Sequence, residues 1–404
     1  VPSGYHTRQA ARGTKTQVSL WIAAIGLAVV FFCATLPSPL YPLYRGEFGF
    51  GDVTLTLIYA VYVVGNVAAL LFFGRLSDQI GRRLVAAAAI VIGIASTLTF
   101  LFADGTSWLF AARALSGLST GLAAGTLTAW LSELDPRGSK AAVLASAANF
   151  AGCGVAPVLS GALAAGSPQP LRLPYAVYFG LLVVTGFALL RPRETVADPV
   201  RIAAASLRPR LGVPAEIRSA FLAPAVTAFA AFALLGFYAA LVPGMLGEHL
   251  QQPSPLISGA IVGELFLVSA AAIVVTGRWQ SRRVMRGGLC LLLPSLGLLI
   301  AAQLDRSLPL LLLATAVAGI AAALGYRGSL EVVNHIAPGD RRAEVVSSYL
   351  VTVYCGNSLP VVGVGLLSDW AGSQVAHISF AVVIGLVAIA ALAGRQNAER
   401  PRTV

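Results

Sequence analysis

The sequence predicts an all-helical membrane protein of twelve spans, arranged as two bundles of six. Three observations carry that prediction. Charged residues make up 11% of the 404 residues and apolar residues 57%, where a soluble chain carries roughly 25% and about 45–50%. Uncharged apolar runs of about 18 residues or more recur along the whole chain, each long enough to cross about 30 Å of hydrocarbon as a helix. These runs do not alternate apolar with polar residues, which excludes the strands of a membrane β-barrel.

The spans fall at 18–44, 54–74, 84–103, 107–131, 141–165 and 173–191, then at 219–244, 256–276, 287–304, 308–333, 346–367 and 375–394. The polar, basic N-terminus runs directly into the first apolar segment without a small-residue cleavage site, so that segment reads as a retained span. The one long connector lies between the sixth and seventh spans. The expected division is therefore an N-terminal bundle at 1–190, a linker at 191–218 and a C-terminal bundle at 219–404, with a 6+6 duplication behind it.

Charge sets the expected orientation. One set of alternate loops and tails carries Arg8, Arg12, Lys15, Arg75, Arg82, Arg83, Arg137 and Lys140, then Arg191, Arg193, Arg201, Arg208, Arg210 and Arg218. It continues with Arg278, Arg282, Arg283, Arg286, Arg341, Arg342, Arg395, Arg400 and Arg402. The other set holds only Arg45, Arg172 and Arg306. Basic residues collect on the cytoplasmic side, so both termini are expected there. The same asymmetry accounts for the net charge of +11 without a nucleic-acid partner. Cys33, Cys153, Cys290 and Cys355 are widely spaced inside apolar runs and read as small core residues.

The loop between spans two and three reads GRLSDQIGRR, Gly74 to Arg83. Gly74 suits a close helix approach and Gly81 a tight turn. Arg82 and Arg83 anchor the next helix at the headgroups. Asp78 is either a solvated loop acid or the partner of a nearby cation or helix N-terminus. This stretch closely resembles the signature loop of the major facilitator superfamily, G-x-L-[AS]-D-x-x-G-R-[RK], matching it at Gly74, Leu76, Ser77, Asp78, Gly81, Arg82 and Arg83. The twelve spans and the 6+6 split agree with that family over essentially the whole chain. The resemblance implies that Asp78 clasps the two halves together in the outward-open state and lets go as the protein rocks. The copy expected in the second half, GRWQSRRVMR at Gly277–Arg286, has Ser281 in place of the acid and Val284 in place of the second glycine. Any such clasp is therefore one-sided.

Span four contains RALSGLSTG, with Arg113, Gly117 and Gly121 four residues apart on one face. Small residues at that spacing let helices pack closely. A cation inside the membrane either serves a role or extends to the headgroups. It resembles the helix-4 motif that the family associates with proton coupling. Span five contains GCGVAPVLSG, which resembles the antiporter motif of drug:proton exporters at Gly152, Pro157 and Gly161, with Ala156 and Ser160 standing where the motif has glycine. Pro360, Gly363 and Gly365 echo it in span eleven, and PLYP (Pro39 to Pro42) weakly resembles a further exporter motif. The exporters' usual acid in helix 1 is absent.

Glu264 stands near the middle of span eight with no cation within two turns, suited to carry a proton or touch substrate if it faces the cavity, and otherwise to bond a neighbouring helix. Asn66, Asn149 and Asn357 lie in spans expected to line the cavity and suit either substrate or helix–helix hydrogen bonds. Arg327 and Glu331, four apart, form a structural or gating pair. His377, in a peripheral span, carries no assigned role, and Asp52 is expected to cap the second span.

The sequence has no phosphate-binding loop of the G-x-x-x-x-G-K-[ST] type, no hydrolytic triad, and no metal-ligand cluster among four separated histidines. No enzyme activity, metal or cofactor is expected, and no filter-like repeat points to a channel. The expectation is a monomeric, proton-coupled antiporter exporting small amphipathic or lipophilic compounds by alternating access. An uptake symporter and a non-transporting receptor are the alternatives. Its partners would be a small-molecule substrate, protons and the lipid bilayer, in a bacterial inner membrane.

Overall fold

The computed structural model describes residues 3–135, 141–197, 200 and 211–398. Arg137, Lys140, Arg201, Arg208, Arg210, Arg400 and Arg402 lie outside those residues, as do the side chains of Arg8, Arg12, Lys15 and Arg395 and most of the expected linker.

Every regular element among the described residues is helical. The first span is α1 (Ser3–Thr35) continued by α2 (Tyr41–Phe48). It is followed by α3 (Asp52–Phe73), the short α4 (Leu76–Ile80), α5 (Arg82–Leu101), α6 (Thr106–Leu134), α7 (Ala141–Ala165) and α8 (Leu173–Ala188). The second half repeats the pattern with α9 (Arg218–Ala240) continued by α10 (Val242–Glu248). Then come α11 (Pro255–Val275), α12 (Ser281–Leu304), α13 (Leu308–Ile336), α14 (Arg342–Ala371) and α15 (Ser373–Ala398). Ten of these segments are long and apolar enough to cross a membrane. α8 has 16 residues, and α6 trades apolarity for Arg113 and a series of Ser, Thr and Gly. Together they make the twelve spans.

Two boundaries differ from the sequence reading for identifiable reasons. The first span is broken, because Pro37 has no N–H to offer the carbonyl of Cys33 and Pro39 none for Thr35. A single 3₁₀ turn at Ser38–Leu40 joins the pieces. Pro243 bends the seventh span at the corresponding place, so α2 and α10 meet. The ninth span begins at Ser281 and takes Arg282, Arg283 and Arg286 into its first turns. Their long stems can lie along apolar surface while the guanidinium reaches water.

Within each half, glycines set the helix spacing. A side chain at Gly117 would meet the carbonyl of Tyr62, and one at Gly121 would meet Asn66 and Ala69, so α6 lies directly on α3. Gly288 and Gly328 do the same between α12 and α13.

The halves meet along two seams. In the first, Gly161 of α7 lies on the carbonyl of Pro255, and Gly259 of α11 lies on the carbonyl of Pro157. In the second, Gly365 of α14 lies on Thr56 of α3. These contacts lie toward the face that carries Asp52 and Glu248, and α7 and α11 stay in touch farther along, where Leu267 lies against Gly154 and Val143 is 3.6 Å from a side chain at Gly277. On the Asp52–Glu248 face Arg45 of α2 bonds Asp52 at 2.7 Å and Glu248 of α10 at 3.1 Å, tying the two broken spans across the halves. Asp52 does not cap α3: Gly51 holds the cap position and Asp52 is the first helical residue, turned to Arg45.

Candidate functional site

On the opposite face, the Gly74–Arg83 loop is held by its own half and by the start of the linker. Gly81 has φ +107°, a conformation that favours glycine, and a side chain there would also run into the carboxylate of Glu194 at 2.9 Å. Arg82 is almost wholly buried and bonds Ser77 at 2.6 Å, Glu133 through Nη2 at 2.7 Å and Nε at 3.3 Å, and Asp78. Arg83 donates to the Pro192 carbonyl at 2.6 Å. Trp130 donates to that of Arg193 at 3.1 Å. Asp78 thus pairs with Arg82 and, among the described residues, with no cation of the second half. Gly74 ends α3 with its carbonyl toward α6, 3.9 Å from where a side chain at Gly125 would stand, while a side chain at Gly74 itself would meet the carbonyl of Leu70.

Glu194, which the sequence reading passed over, closes this assembly. It accepts the backbone amides of Arg82 (3.0 Å), Arg83 (2.9 Å), Thr195 (2.9 Å) and Val196 (3.2 Å), capping α5 from 112 residues away. Burial alone raises its pKa, but the amides of Arg83, Val196, Arg82 and Thr195 outweigh it, and the carboxyl lies below the usual glutamate value. A depressed carboxylate stabilises the fold above its unfolded pKa, and that contribution disappears as pH falls through the folded value. Glu194→Gln is expected to lower stability at pH 7 by about 1 kcal/mol. The gap to the unmutated chain should narrow as pH falls below the ordinary glutamate value of about 4.3. Unfolding curves in detergent from pH 7 to pH 3.5 check this; parallel curves would contradict it.

Arg113 lies in the interior of the first half and is 0% exposed. Its Nη1 donates to the carbonyls of Cys33 and Ala34, both at 3.1 Å. These are carbonyls at the broken end of α1, where Pro37 supplies no amide, so the guanidinium occupies the negative end of a helix. Its charge lies 4.4 Å from the ring centre of Tyr62 and 5.4 Å from that of Tyr59. It does not reach the headgroups, and no ion pair joins it to Glu264 among the described residues. The same break is fastened to α7, where Ser160 donates to Leu36 at 2.6 Å and Thr35 to Cys153 at 2.7 Å. Gly152 of α7 lies on the Ala28 carbonyl of α1.

Glu264 is half-buried, and its Oε2 has no hydrogen-bond partner. The exposed residues of α11 are Leu256, Ala260, Leu267, Ala271, Val274 and Val275. They recur every three or four positions, and Glu264 falls on that stripe. The opposite face carries Phe266, whose ring lies 6.0 Å from that of Phe150 on α7. The stripe is otherwise apolar but is not a lipid face throughout, since Leu267 packs against Gly154 of α7. Glu264 is turned away from Phe266 and lies within electrostatic reach of the buried Tyr238 of α9.

The asparagines separate. Asn66 donates to Thr120 at 3.1 Å and Tyr62 at 3.3 Å, bonding α3 to α6. Asn149 accepts a weak contact from Cys153 at 3.9 Å. Asn357 of α14 accepts from Tyr59 of α3 at 3.2 Å, across the halves. Arg327 pairs with Glu331 at 3.3 Å and also caps α11, donating to the carbonyls of Thr276, Gly277 (2.9 Å) and Trp279 (3.3 Å). His377 is buried against Phe237 at 5.1 Å.

The sequence model of the Major Facilitator Superfamily matches residues 23–304 and again 225–403. The chain belongs to this superfamily. Its relatives include the multidrug resistance protein MdtL of Escherichia coli O139:H28, 26% identical over 336 residues covering 80% of this chain and 83% of MdtL. MdtL of Shigella boydii serotype 18 matches to the same extent. Among solved superfamily structures, a bacterial homologue of the human lysosomal transporter Spinster, inward-facing and unoccupied, superposes with a TM-score of 0.72 at 16% identity, over 94% of this chain and 97% of the other. The human organic anion transporter MFSD10 (TETRAN) gives 0.68 at 17% identity, over 93% and 99%. The chain is thus an integral membrane transporter of the superfamily, with its twelve-helix fold.

Proposed function

We propose that the chain is a proton-coupled exporter of small amphipathic or lipophilic compounds, working by alternating access between halves at 1–190 and 219–404 joined by the 191–218 linker. The observation that carries this reading is the asymmetry of the two faces. The ion-paired contact between the halves is on the Arg45–Glu248 face, while on the other face the Asp78 loop bonds, among the described residues, to the first half and to the start of the linker. With the termini read as cytoplasmic from the basic loops, in a bacterial cell, this arrangement corresponds to a state closed to the outside and released on the inside. Export is favoured by the likeness to MdtL, whose name is that of a multidrug resistance protein, and by the close seam that the Gly152–Pro157–Gly161 motif makes with α1 and α11.

Glu264 is the proposed proton carrier. Its carboxyl has a buried, unpartnered oxygen within the span, near the fully buried Tyr238 of α9. Arg113 acts in this scheme from within the first half, and the Tyr59–Asn357 bond as a contact remade when the halves rock.

Purified protein in liposomes with an internal pH dye tests the reading. A lipophilic dye cation added under an imposed proton gradient is expected to drive proton movement opposite to its own. Glu264→Gln should reduce that exchange at least tenfold. Movement in the same direction would make the protein an uptake symporter, and undiminished exchange in the variant would remove the proton from Glu264.

A further inference from the structure

On the Arg45–Glu248 face a cavity of about 210 Å³ lies between the halves. The first half supplies Pro39, Pro42 and Arg45 to its wall, and the second supplies Pro243, Gly244 and Glu248. Pro255, whose carbonyl meets Gly161 in the first seam, lines it too. Proline has a fixed backbone angle and no amide to satisfy, so these four rings make a stiff, apolar wall. The polar border is the ion pair that ties α2 to α10, with Arg45 bonded to Glu248 at 3.1 Å and to Asp52 at 2.7 Å. A third acid stands close by, since Oδ1 of Asp369 lies 4.0 Å from where a side chain at Gly51 would stand, beside Asp52. Acid thus outnumbers the arginine at this border, and the surplus favours a cationic guest. Glu248 gives Oε1 to Arg45, and its side chain stays 42% exposed, so the carboxylate can accept a second donor.

The volume sets the size of that guest. An apolar cavity of about 150 Å³ holds a benzene ring, and sites for drug-sized ligands run from about 300 Å³ upward. A space of about 210 Å³ therefore suits one ring with a short chain. We propose that this cavity binds a small amphipathic amine, its apolar ring against the prolines and its ammonium group on Glu248. Because both halves build the wall, the site is complete only while the Arg45–Glu248 face is closed. A bound amine holds α2 to α10 and shifts the protein toward that closed state. This last step rests on the alternating-access reading. The binding itself does not, and it is independent of the direction of transport. It is also separate from Glu264, which lies about 13 Å farther along α11 than Pro255 at the helical rise per residue.

The test uses the full chain in detergent, with thermal unfolding followed across a phenethylamine titration at constant ionic strength. Phenethyl alcohol serves as the uncharged counterpart. Phenethylamine should stabilise the protein in a saturating manner, and the alcohol should bind about fivefold more weakly or less. Glu248→Gln is expected to weaken the apparent amine affinity about fivefold. Nothing lies within 4 Å of a side chain at Gly244, so Gly244→Leu fills the cavity, leaves Arg45 and Glu248 in place and should abolish the saturable effect. Gly297→Leu, at an equally open position on α12 away from the cavity, should retain it. Equal stabilisation by the alcohol would overturn the proposal. So would a titration unchanged in Gly244→Leu, which would place the amine elsewhere, or the absence of any saturable effect in the unmutated chain.

Discussion

Gly161→Val is expected to abolish transport while leaving a folded, membrane-inserted protein. A side chain at Gly161 would be driven into the carbonyl of Pro255 and would lie 3.2 Å from the Cα of Gly259, so backbone, not a movable side chain, blocks it. The seam is reciprocal, since a side chain at Gly259 meets the carbonyl of Pro157 and would lie 3.3 Å from the Cα of Gly161. Within one helix bundle, overpacking of this kind costs about 1–3 kcal/mol. Here the strain is relieved by parting α7 from α11, so the conformational equilibrium absorbs it and the face bearing Arg45 stays open. A shift of about 1.4 kcal/mol changes that equilibrium tenfold. Gly363→Ala is the control, because nothing lies within 4 Å of a side chain there. Dye efflux from cells should fall to background in the first variant and stay unchanged in the second. Efflux by Gly161→Val at the unmutated rate would mean that the seam does not close during transport.

The second large effect separates Arg82 from Asp78. Arg82→Ala strips Ser77, Asp78 and both oxygens of Glu133 of one buried donor. Hydrogen bonds to charged groups contribute about 1.5–3 kcal/mol, and the partly exposed acids regain water, so a loss of about 2 kcal/mol is expected. Asp78 has a side chain 50% exposed, and Asp78→Asn is expected to change stability by less than about 1 kcal/mol. Its transport should nevertheless fall at least tenfold, because the acid is needed when the halves close on its own face. Unfolding curves beside transport assays separate the two. If Asp78→Asn transports normally, the acid is only a surface partner of Arg82.

Much of this architecture is legible in the sequence because the bilayer imposes length and charge rules on every span. The limits of α7 agree with the reading at both ends, and Gly117 and Gly121 pack as their spacing predicts. What escapes is the direction each helix faces. In a soluble helix the polar side marks solvent, but both faces of a membrane helix are apolar, so nothing in ISGAIVGELFLV marks the edge on which Glu264 lies. The same limit hides that Gly365 is crowded by Thr56 while Gly363, two residues earlier, is open. Arg113 stands out as a buried cation, but its partners are backbone carbonyls at the break of the first span, that of Cys33 freed by Pro37, and carbonyls carry no side-chain signature. Glu194 was hidden by distance along the chain, since its role depends on the linker folding back onto α5.

Alternating access requires the Arg45–Glu248 face to open, and a distance across that face reports the opening. Gly46 of α2 and Gly244 of α10 both have open space around a new side chain, so cysteines there can carry spin labels without disturbing the seam. Double electron–electron resonance on the protein in nanodiscs is expected to give a short separation at neutral pH. A second, longer population should grow when proton and substrate conditions are changed, and it should dominate in Gly161→Val. A single short separation under all conditions, in a protein that still transports, would contradict the account.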